Sequence, residues 1–470
     1  MGLLIKNGEI VTESSRCVAD IWCEGETISH IGPHLEAPPD AEVIDASGQF
    51  VFPGFIDPHT HIHLPFMGTC ARDSYLTGTR AAIAGGTTTI FDMCCPSRNE
   101  EPENAFDTWR ALAAGQACCD YSFHMGVTKF DGRTADQLRR ITAAGIQSFK
   151  VFLAYKGAFG IEDDELFHTL DLARRLGVIT TAHCENASLI SELQKQLLAE
   201  GKTGPEWHHS SRPPFVEASG VHHLMTFAKA AKAPVYIVHL SCREALEEAL
   251  RGRQRGVDAR IEVLIQHLLL DKSLAELPDF EGAKFVMSPP LRAPEHQAAL
   301  WEALANGLVD TVATDHAPFD FASQKTLGSR DFTKIPNGIP SLQERIALLY
   351  SHGVATGRID LHAFVRSASS NAAKIFQLYP KKGTIQPGSD ADLVVFDPNA
   401  STTLSASTHA SAVDYNAFEG WPVRGRPSFV ALRGSIAARN GVFTGPPGRG
   451  QFLPRPLSQN TSIPSPPPHA

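Results

Sequence analysis

Two histidines separated by a single residue are the first candidates for chemistry in this sequence. His59 and His61 follow the apolar stretch 50–56. In an extended strand, residues i and i+2 project to the same side. Two neutral imidazoles on one side suit zinc and related divalent metals. The pair alone predicts half of a metal site; without further ligands it would be two polar residues at the end of a strand.

Four more side chains that can bind a metal or move a proton lie in or near the C-terminal halves of predicted strands. They are Lys150, His183, His239 and Asp315. The C-terminal ends of the strands of a parallel barrel meet at one edge, where barrel enzymes build their active sites. One histidine at a strand end is more often a satisfied polar residue than a ligand. Six candidate groups at one edge together predict a metal centre.

Lys150 differs from the other candidates because it is a cation inside an apolar strand. Phe149 and Val151 flank it, so its side chain is expected to point into the barrel, where an unpaired ammonium is costly to desolvate. One interpretation is a buried ion pair with a carboxylate. The other is carbamylation by CO₂, which would turn the lysine into an anionic oxygen ligand able to bridge two metals.

The strands that carry these groups belong to a long alternating region. Between residues 55 and 379, apolar β-rich runs alternate with amphipathic helical segments, a pattern typical of a parallel α/β architecture. The number of units favours a (β/α)8 TIM-type barrel over an open sheet. After the strand that ends at the histidine pair, the predicted strands cover 87–92, 148–153, 178–183, 235–239 and 309–315. The predicted helices cover 166–175, 187–200 and 244–252, and they end at Gly177, Gly201 and Gly252.

The two ends of the chain share a different, β-rich pattern. Within 1–54, short strands follow one another at hairpin spacing, with a turn predicted at Asn7-Gly8. Residues 380–446 show the same pattern. We expect the two ends to pair into one small β-sandwich beside the barrel at 55–379. Residues 447–470 are rich in Pro, Ser and Gly, which predicts an extended or disordered tail.

Composition narrows the classes of partner. The chain has 470 residues, 43% of them hydrophobic, and a formal charge of -9 without a long acidic or basic run, so neither a nucleic-acid nor a membrane partner is expected. A small-molecule substrate is expected instead. The start of the chain lacks the pattern of a signal peptide. Nine cysteines, an odd number, fit a reducing, cytoplasmic location better than a disulfide framework.

Nine short segments together carry a family resemblance. They are 54–61 (GFIDPHTH), 64–69 (LPFMGT), 85–88 (GGTT), 148–152 (SFKVF), 182–186 (AHCEN), 238–242 (VHLSC), 287–292 (MSPPLR), 314–319 (TDHAPF) and 335–338 (IPNG). Over nearly its whole length, the chain resembles the D-hydantoinase/dihydropyrimidinase branch of the amidohydrolase superfamily.

The resemblance implies a binuclear metal site, usually zinc. One metal would be held by His59, His61 and Asp315, the other by His183 and His239, and carbamylated Lys150 would bridge both. A hydroxide between the metals would be the nucleophile, because two cations lower the pKa of bound water. Asp315 would carry its proton to the leaving ring nitrogen, and Tyr155 would stabilise the oxyanion; otherwise Tyr155 is an ordinary loop aromatic.

The implied reaction opens the cyclic amide of 5-substituted hydantoins or 5,6-dihydropyrimidines to N-carbamoyl amino acids. By resemblance, main-chain groups near Ser288 and Asn337 bind the cyclic amide, and the enzyme is a homotetramer. Two gate loops, 64–70 and 154–161, shape the pocket for the exocyclic substituent. Its expected lining is Leu64, Phe66, Phe152 and Phe159, although such apolar residues are more commonly core.

The sequence departs from the family pattern at 262–268, where Glu-Val-Leu-Ile-Gln-His-Leu stands in place of Glu-Thr-x-Pro-Gln-Tyr-Leu. This puts the shape of the local loop in doubt but affects no ligand. Eight other histidines are assigned structural or surface roles, with His316 the exception because it follows Asp315 and is expected to support the ligands. They are His63, His124, His208, His209, His222, His223, His267 and His316.

Three alternatives remain open. Dihydroorotase normally has an arginine at the position of His63, and allantoinase has an acidic continuation where this chain has Leu64-Pro65-Phe66. The absence of that arginine argues against an anionic ring substrate, and the apolar continuation favours less polar substituents. The third alternative is a non-catalytic dihydropyrimidinase-like scaffold protein, which would have lost metal ligands, whereas all six are present here.

Overall fold

The computed structural model of the protein describes residues 2–455. The chain begins with five strands of a mixed sheet. They are β1 (Gly2–Val11), β2 (Arg16–Glu24), β3 (Thr27–Gly32), β4 (Glu42–Asp45) and β5 (Phe50–Pro53). The turn predicted at Asn7-Gly8 is wrong: Asn7 has a φ of 60° inside β1, where the register against β2 shifts. The pair forms a bulge in one long strand because β2 pairs with β1 on both sides of it.

The barrel begins immediately after β5. Its eight parallel strands are β6 (Phe55–Thr60), β9 (Thr87–Cys94), β10 (Asp120–Gly126), β11 (Ser148–Phe152), β12 (Ile179–His183), β13 (Val235–Ile237), β14 (Ala259–Leu264) and β15 (Thr311–Ala313), and a small hairpin, β7 (Pro65–Phe66) and β8 (Thr69–Cys70), follows β6. The strands pair in chain order from β6 to β15. The barrel closes between β15 and β6, where the Thr314 hydroxyl donates to Asp57 Oδ2 at 2.7 Å and the His61 amide donates to the His316 carbonyl at 2.8 Å. The predicted TIM-type barrel is therefore confirmed, including β10 and β14, which the sequence patterns did not identify individually.

Helices alternate with the strands and surround the barrel. They are α1 (Tyr75–Ala84), α2 (Pro102–Ala113), α3 (Gly132–Ala143), α4 (Asp163–Leu176), α5 (Ala187–Ala199), α6 (Pro214–Ala231), α7 (Arg243–Gln254), α8 (Ile265–Leu269), α9 (Pro294–Ala305), α10 (Arg345–Leu349), α11 (Leu361–Val365) and α12 (Asn371–Ile375). Gly177 caps α4 in the left-handed conformation with a φ of 68°, as its position predicts. Gly252 does not end α7. It lies inside the helix, where an added Cβ would stand 2.5 Å from Met225 Cε, so the glycine permits close packing of α6 and α7.

Four C-terminal strands complete the first sheet: β16 (Leu393–Thr403), β17 (Pro422–Leu432), β18 (Ser435–Arg439) and β19 (Val442–Phe443). β16 pairs antiparallel with β5, so both chain ends contribute to one nine-stranded mixed sheet. Apolar residues alternate between the two faces of this sheet. Those on one face form a separate hydrophobic core, and those on the other face pack against the helices of the barrel.

A buried group of charges, which we call the interdomain ion cluster, joins this sheet to the barrel. It consists of Asp120, Lys382, Asp390, Asp392 and Arg433. Lys382 Nζ lies 2.8 Å from Asp120 Oδ2, 3.0 Å from Asp390 Oδ2 and 2.7 Å from Asp392 Oδ2. Arg433 pairs with the other oxygen of Asp120. The carboxylates raise the pKa of Lys382 well above its ordinary value, even though burial opposes the charge.

The segment 447–455 runs beneath the barrel, at the end opposite to the predicted site. Leu453 is buried beside Phe376, and the guanidinium of Arg455 donates to Ser148 Oγ at 3.0 Å and to the Phe123 carbonyl at 2.8 Å. The remainder of the predicted tail, 456–470, lies outside the described residues. Within residues 2–455, no helix has both the length and the apolar character needed to cross a membrane.

Candidate active site

Three of the predicted ligands converge at the C-terminal edge of the barrel. His59 lies in β6 and His61 directly follows it, while Asp315 stands two residues beyond β15. Nε2 of each histidine lies 3.0 Å from Asp315 Oδ1, and one potential ligand atom from each residue falls within 4.8 Å of the others. Asp315 adopts a φ of 49°, a region that is unfavourable for a residue with a side chain. This turn directs its carboxylate back over the barrel mouth.

Glu262 orients the His59 ring from the interior of the barrel. His59 Nδ1 donates to Glu262 Oε1 at 2.7 Å, which leaves the lone pair of Nε2 facing the site. The same carboxylate accepts from the His239 amide and from the Tyr236 hydroxyl. Although burial opposes a charge on His59, Glu262 and Asp315 raise its pKa to about 9. The two carboxylates thus favour a positive charge at this point, which either a proton or a metal cation supplies.

His183 and His239 form the second pair of nitrogens. His183 Nδ1 lies 2.9 Å from His239 Nε2, and His183 Nε2 donates to Glu185 Oε2 at 2.8 Å. Burial lowers the pKa of both histidines. A carboxylate only accepts hydrogen bonds, so Glu185 holds the proton on Nε2 and turns the lone pair of His183 Nδ1 towards His239. Arg212 lies 2.5 Å from Glu185 and, against the effect of burial, helps hold the pKa of that carboxyl at about 2.

Lys150 lies in β11 between the two pairs and is fully buried. Within the described chain its Nζ has no hydrogen-bond partner and no carboxylate within 4.0 Å, so the ion-pair interpretation has no support. Burial lowers the pKa of the amine. His61 Nδ1 and His239 Nδ1 also lack partners, and Nε2 of His59 has no acceptor in hydrogen-bond geometry.

The donor set fits divalent metals. Buried polar atoms in folded proteins are almost always paired, and unpaired ones need an explanation. Here several unpaired nitrogens and one carboxylate converge on a single small cavity. Imidazole and carboxylate are ligands that zinc accepts at tetrahedral or expanded sites. These residues are therefore suited to hold a cation.

The cavity also collects the predicted substrate-binding residues. Asn337 Nδ2 donates to Ser288 Oγ at 2.9 Å and to the Tyr155 hydroxyl at 3.4 Å, so these three side chains form one polar wall of the cavity that the histidines also line. Tyr155 has a φ of 59°, and burial raises the pKa of its phenol. It is thus a neutral hydrogen-bond donor at ordinary pH, as an oxyanion stabiliser must be.

Aromatic rings narrow the passage to this cavity. Phe66 stacks on Phe159 with centroids 5.8 Å apart and meets Tyr155 edge-on at 5.4 Å, while Phe152 lies 5.6 Å from Phe159. Leu64 packs in the same cluster. The inner cavity holds only about 40 Å³, whereas the vestibule outside the rings holds about 630 Å³. All four residues predicted to line the substituent pocket therefore line this cavity.

Three supporting residues were not assigned a role from the sequence. Glu262 belongs to the segment that departs from the family pattern, and its position in the middle of an apolar strand was the available signal. Glu185 lies in the segment 182–186, two residues after a predicted ligand. Arg212 lies in a loop between helices, and nothing in its sequence context indicates that it reaches the site.

The eight histidines that were assigned structural or surface roles lie in several environments. His316 Nε2 donates to Asp73 Oδ2 at 2.8 Å, and the His316 carbonyl accepts from the His61 amide, so His316 supports the ligand loop as expected. His208 and His267 are buried and contact the carbonyls of Met287 and Pro289. His124 Nε2 lies 2.9 Å from the Pro58 carbonyl oxygen in the barrel interior. His63, His209, His222 and His223 are at least partly exposed.

Comparisons with known proteins identify the family. The model of the amidohydrolase family matches residues 50–437. The chain is 45% identical to D-hydantoinase of Geobacillus stearothermophilus over 456 residues, 97% of each protein. It belongs to the D-hydantoinase/dihydropyrimidinase family of amidohydrolases. It is also 42% identical over 458 residues to dihydropyrimidinase 1 of Caenorhabditis elegans, covering 96% of this chain and 94% of the relative.

A solved structure extends the likeness to the whole fold. The D-hydantoinase of Thermus sp. superposes with a TM-score of 0.95 at 56% sequence identity, over 97% of this chain and 99% of the other. The predictions of family and of fold class are thus confirmed. The enzyme class, a cyclic amidohydrolase, follows from the same membership.

Proposed function

We propose that the protein hydrolyses the cyclic amide bond of 5-substituted hydantoins and 5,6-dihydropyrimidines to N-carbamoyl amino acids. The convergence of partnerless buried nitrogens with Asp315 at the barrel mouth is the observation that carries the proposal. The names of the relatives, D-hydantoinase and dihydropyrimidinase, support the substrate class. The aromatic lining of the passage supports substrates with apolar substituents.

The proposed centre holds two divalent metals, usually zinc in this family. His59, His61 and Asp315 would hold one metal and His183 and His239 the other. Lys150, carbamylated by CO₂, would bridge them; its burial and lowered pKa support this because only the neutral amine reacts with CO₂. The metals would supply a hydroxide nucleophile near neutral pH and polarise the amide carbonyl.

The side chains of the protein then perform the proton transfers and the binding. Asp315 accepts the proton of the hydroxide and delivers it to the leaving ring nitrogen, a role that requires a carboxylate in contact with both. Burial alone would raise the pKa of Asp315, but His59 and His61 lower it well below its ordinary value, so its carboxylate is ionised at neutral pH. Tyr155 donates to the developing oxyanion. Main-chain groups at Ser288 and Asn337 hold the cyclic amide.

We also propose the organisation of the whole protein. Residues 55–379 form the catalytic unit, and 1–54 with 380–446 form the smaller β domain. A cytoplasmic location is supported by nine free cysteines, all within the described residues. Assembly into a homotetramer is proposed from the family resemblance alone.

The decisive experiment compares substrates on protein purified without chelator. Metal content is measured first, and rates are then measured on dihydrouracil, aryl- and alkyl-hydantoins, allantoin and dihydroorotate. The proposal expects about two metals per chain and the highest kcat/KM on hydantoins or dihydrouracil. Fast allantoin or dihydroorotate turnover without hydantoin activity would overturn the substrate assignment. Absence of both metal and activity would favour the scaffold alternative.

A further inference from the structure

Lys325 is a second fully buried lysine, and the catalytic proposal does not use it. Its side chain has no exposed surface, and no carboxylate lies within 4.0 Å of Nζ in the described chain. Instead, Nζ donates to three carbonyl oxygens: Val286 at 2.8 Å, Pro336 at 2.7 Å and Gly338 at 2.7 Å. Burial lowers the pKa of Lys325, and the three acceptors oppose this effect because they match the three N–H donors of the ammonium one for one.

The three carbonyls belong to the two loops that carry the proposed ring-binding residues. Pro336 and Gly338 flank Asn337 on either side, and Val286 precedes Ser288 by two residues. The Gly338 amide donates to the same Val286 carbonyl at 3.0 Å, and Gly338 has a φ of 155°. A Cβ at Gly338 would stand 2.3 Å from the Ala317 carbonyl, so this backbone packs closely against the loop that follows β15.

We propose that Lys325 is a positioning residue that holds the backbone on both sides of Asn337 and beneath Ser288 in the geometry that binds the cyclic amide. The inference rests on the proposed function. Its physical basis is that main-chain recognition has no side chain to readjust: a peptide group that rotates loses its hydrogen bond to the substrate. One central donor to three carbonyls fixes three peptide planes at once.

The adjacent residue, Gln324, holds a different loop. Its Nε2 donates to Thr69 Oγ1 at 2.7 Å and to the Cys70 carbonyl at 2.6 Å, at the base of the first gate loop, and its Oε1 accepts from the Asp320 amide at 2.7 Å. Two neighbouring side chains therefore tie separate parts of the site to one short segment. Lys325 supports binding of the ring, while Gln324 supports the pocket for the substituent.

The test of Lys325 is Lys325→Met, which keeps the length of the side chain and removes its donors. The matched control is Lys382→Met, which removes an equally buried ammonium from the interdomain ion cluster. For Lys325→Met we expect KM to rise about tenfold for hydantoin and for 5-phenylhydantoin alike, with kcat and metal content nearly unchanged, because ring binding is lost equally in the ground and transition states. Lys382→Met should leave KM unchanged. An unchanged KM in metal-loaded Lys325→Met, or an equal rise in both variants, overturns the proposal.

Gln324→Ala tests whether Gln324 supports the pocket for the substituent. We expect the ratio of kcat/KM between 5-phenylhydantoin and unsubstituted hydantoin to change by about threefold or more, with the KM for hydantoin nearly constant. A parallel change for both substrates would show that Gln324 does not act on the substituent pocket separately.

Hydrogen exchange of backbone amides tests the role of Lys325 independently of catalytic activity and of whether the variant folds. In the wild type, the Gly338 amide should exchange as slowly as the amides of the barrel strands. Rapid exchange there overturns the proposed role of Lys325 even if Lys325→Met does not fold. If the wild type hydrolyses no cyclic amide, the proposed function fails. The role of Lys325 is then judged by whether the amides of 286–288, Asn337 and Gly338 exchange faster in Lys325→Met than in Lys382→Met.

Discussion

Two buried clusters of charged and titratable groups lie in this molecule, and they differ in how their polar atoms are satisfied. In the interdomain ion cluster, Lys382 meets three carboxylates within 3.0 Å and Arg433 meets a fourth oxygen. At the barrel mouth, Lys150 has no partner, and nitrogens of His59, His61 and His239 are likewise without hydrogen bonds in the described chain.

The difference separates a structural cluster from a binding site. Burying polar groups costs free energy unless they are paired. The interdomain ion cluster pairs its opposite charges internally, so it needs no ligand. At the barrel mouth, imidazole nitrogens with free lone pairs converge, and Glu262 and Glu185 each hold the other nitrogen of one ring. A cation from outside is therefore the partner that satisfies these lone pairs. Five predictions test this comparison.

Replacing Lys150 by Ala should have the largest effect. The variant should lose bound metal and activity together, with kcat/KM lower by about 10³-fold or more, because the bridging ligand is gone. Metal analysis and steady-state kinetics on hydantoin check this. If Lys150→Ala kept two metals and normal turnover, the proposed bridging carbamate would be wrong.

Replacing Lys382 by Met should affect stability instead. Removing one partner from a buried ion cluster leaves uncompensated carboxylates and costs about 3–5 kcal/mol of unfolding free energy. Urea denaturation monitored by circular dichroism measures the loss, and metal content should remain that of the wild type. Loss of metal in a folded Lys382→Met protein would break the distinction between the two clusters.

The pH dependence of stability should reveal that Glu185 is paired within the site. Its folded pKa is lowered to about 2, so its contribution is present above the unfolded pKa of about 4.3 and is lost as pH falls towards 2. In metal-free protein, Glu185→Gln should therefore flatten the stability profile in this window by up to about 3 kcal/mol. Identical profiles for the variant and the wild type would contradict the pairing with Arg212.

Tyr155→Phe should separate transition-state stabilisation from metal binding. Loss of one oxyanion donor lowers kcat by about 10²-fold. Metal content should not change, because Tyr155 is not one of the proposed metal ligands. A kcat close to that of the wild type would reduce Tyr155 to an ordinary lining residue.

Glu262→Gln should give the smallest effect. The amide keeps the shape of the side chain but no longer fixes the proton on His59 Nδ1, and such changes weaken metal affinity by about 10- to 100-fold. Competition with a fluorescent zinc chelator measures the affinity. Wild-type affinity in this variant would show that the His59 ring is oriented by packing alone.

Much of the fold and of the candidate site was accessible from sequence. Runs of apolar residues alternating with amphipathic helices predict a barrel, and His59, His61, Lys150 and His183 lie in or near the C-terminal halves of strands that the sequence predicts. β10 and β14 escaped because buried strands in a parallel sheet show no alternation. The bulge at Asn7-Gly8 was mistaken for a turn because the local signal is the same, and only pairing with β2 distinguishes them.

The sequence by itself determined the family, the barrel and the set of residues able to bind metal, because these depend on residue type and on spacing along a strand. The tertiary structure decided which groups are left without partners. Glu185, Glu262 and Arg212 reach the ligands from separate elements, and Lys325 reaches two loops that are distant in the chain from each other. Satisfaction of a buried polar atom depends on neighbours brought together by folding, and no local pattern in the chain encodes it.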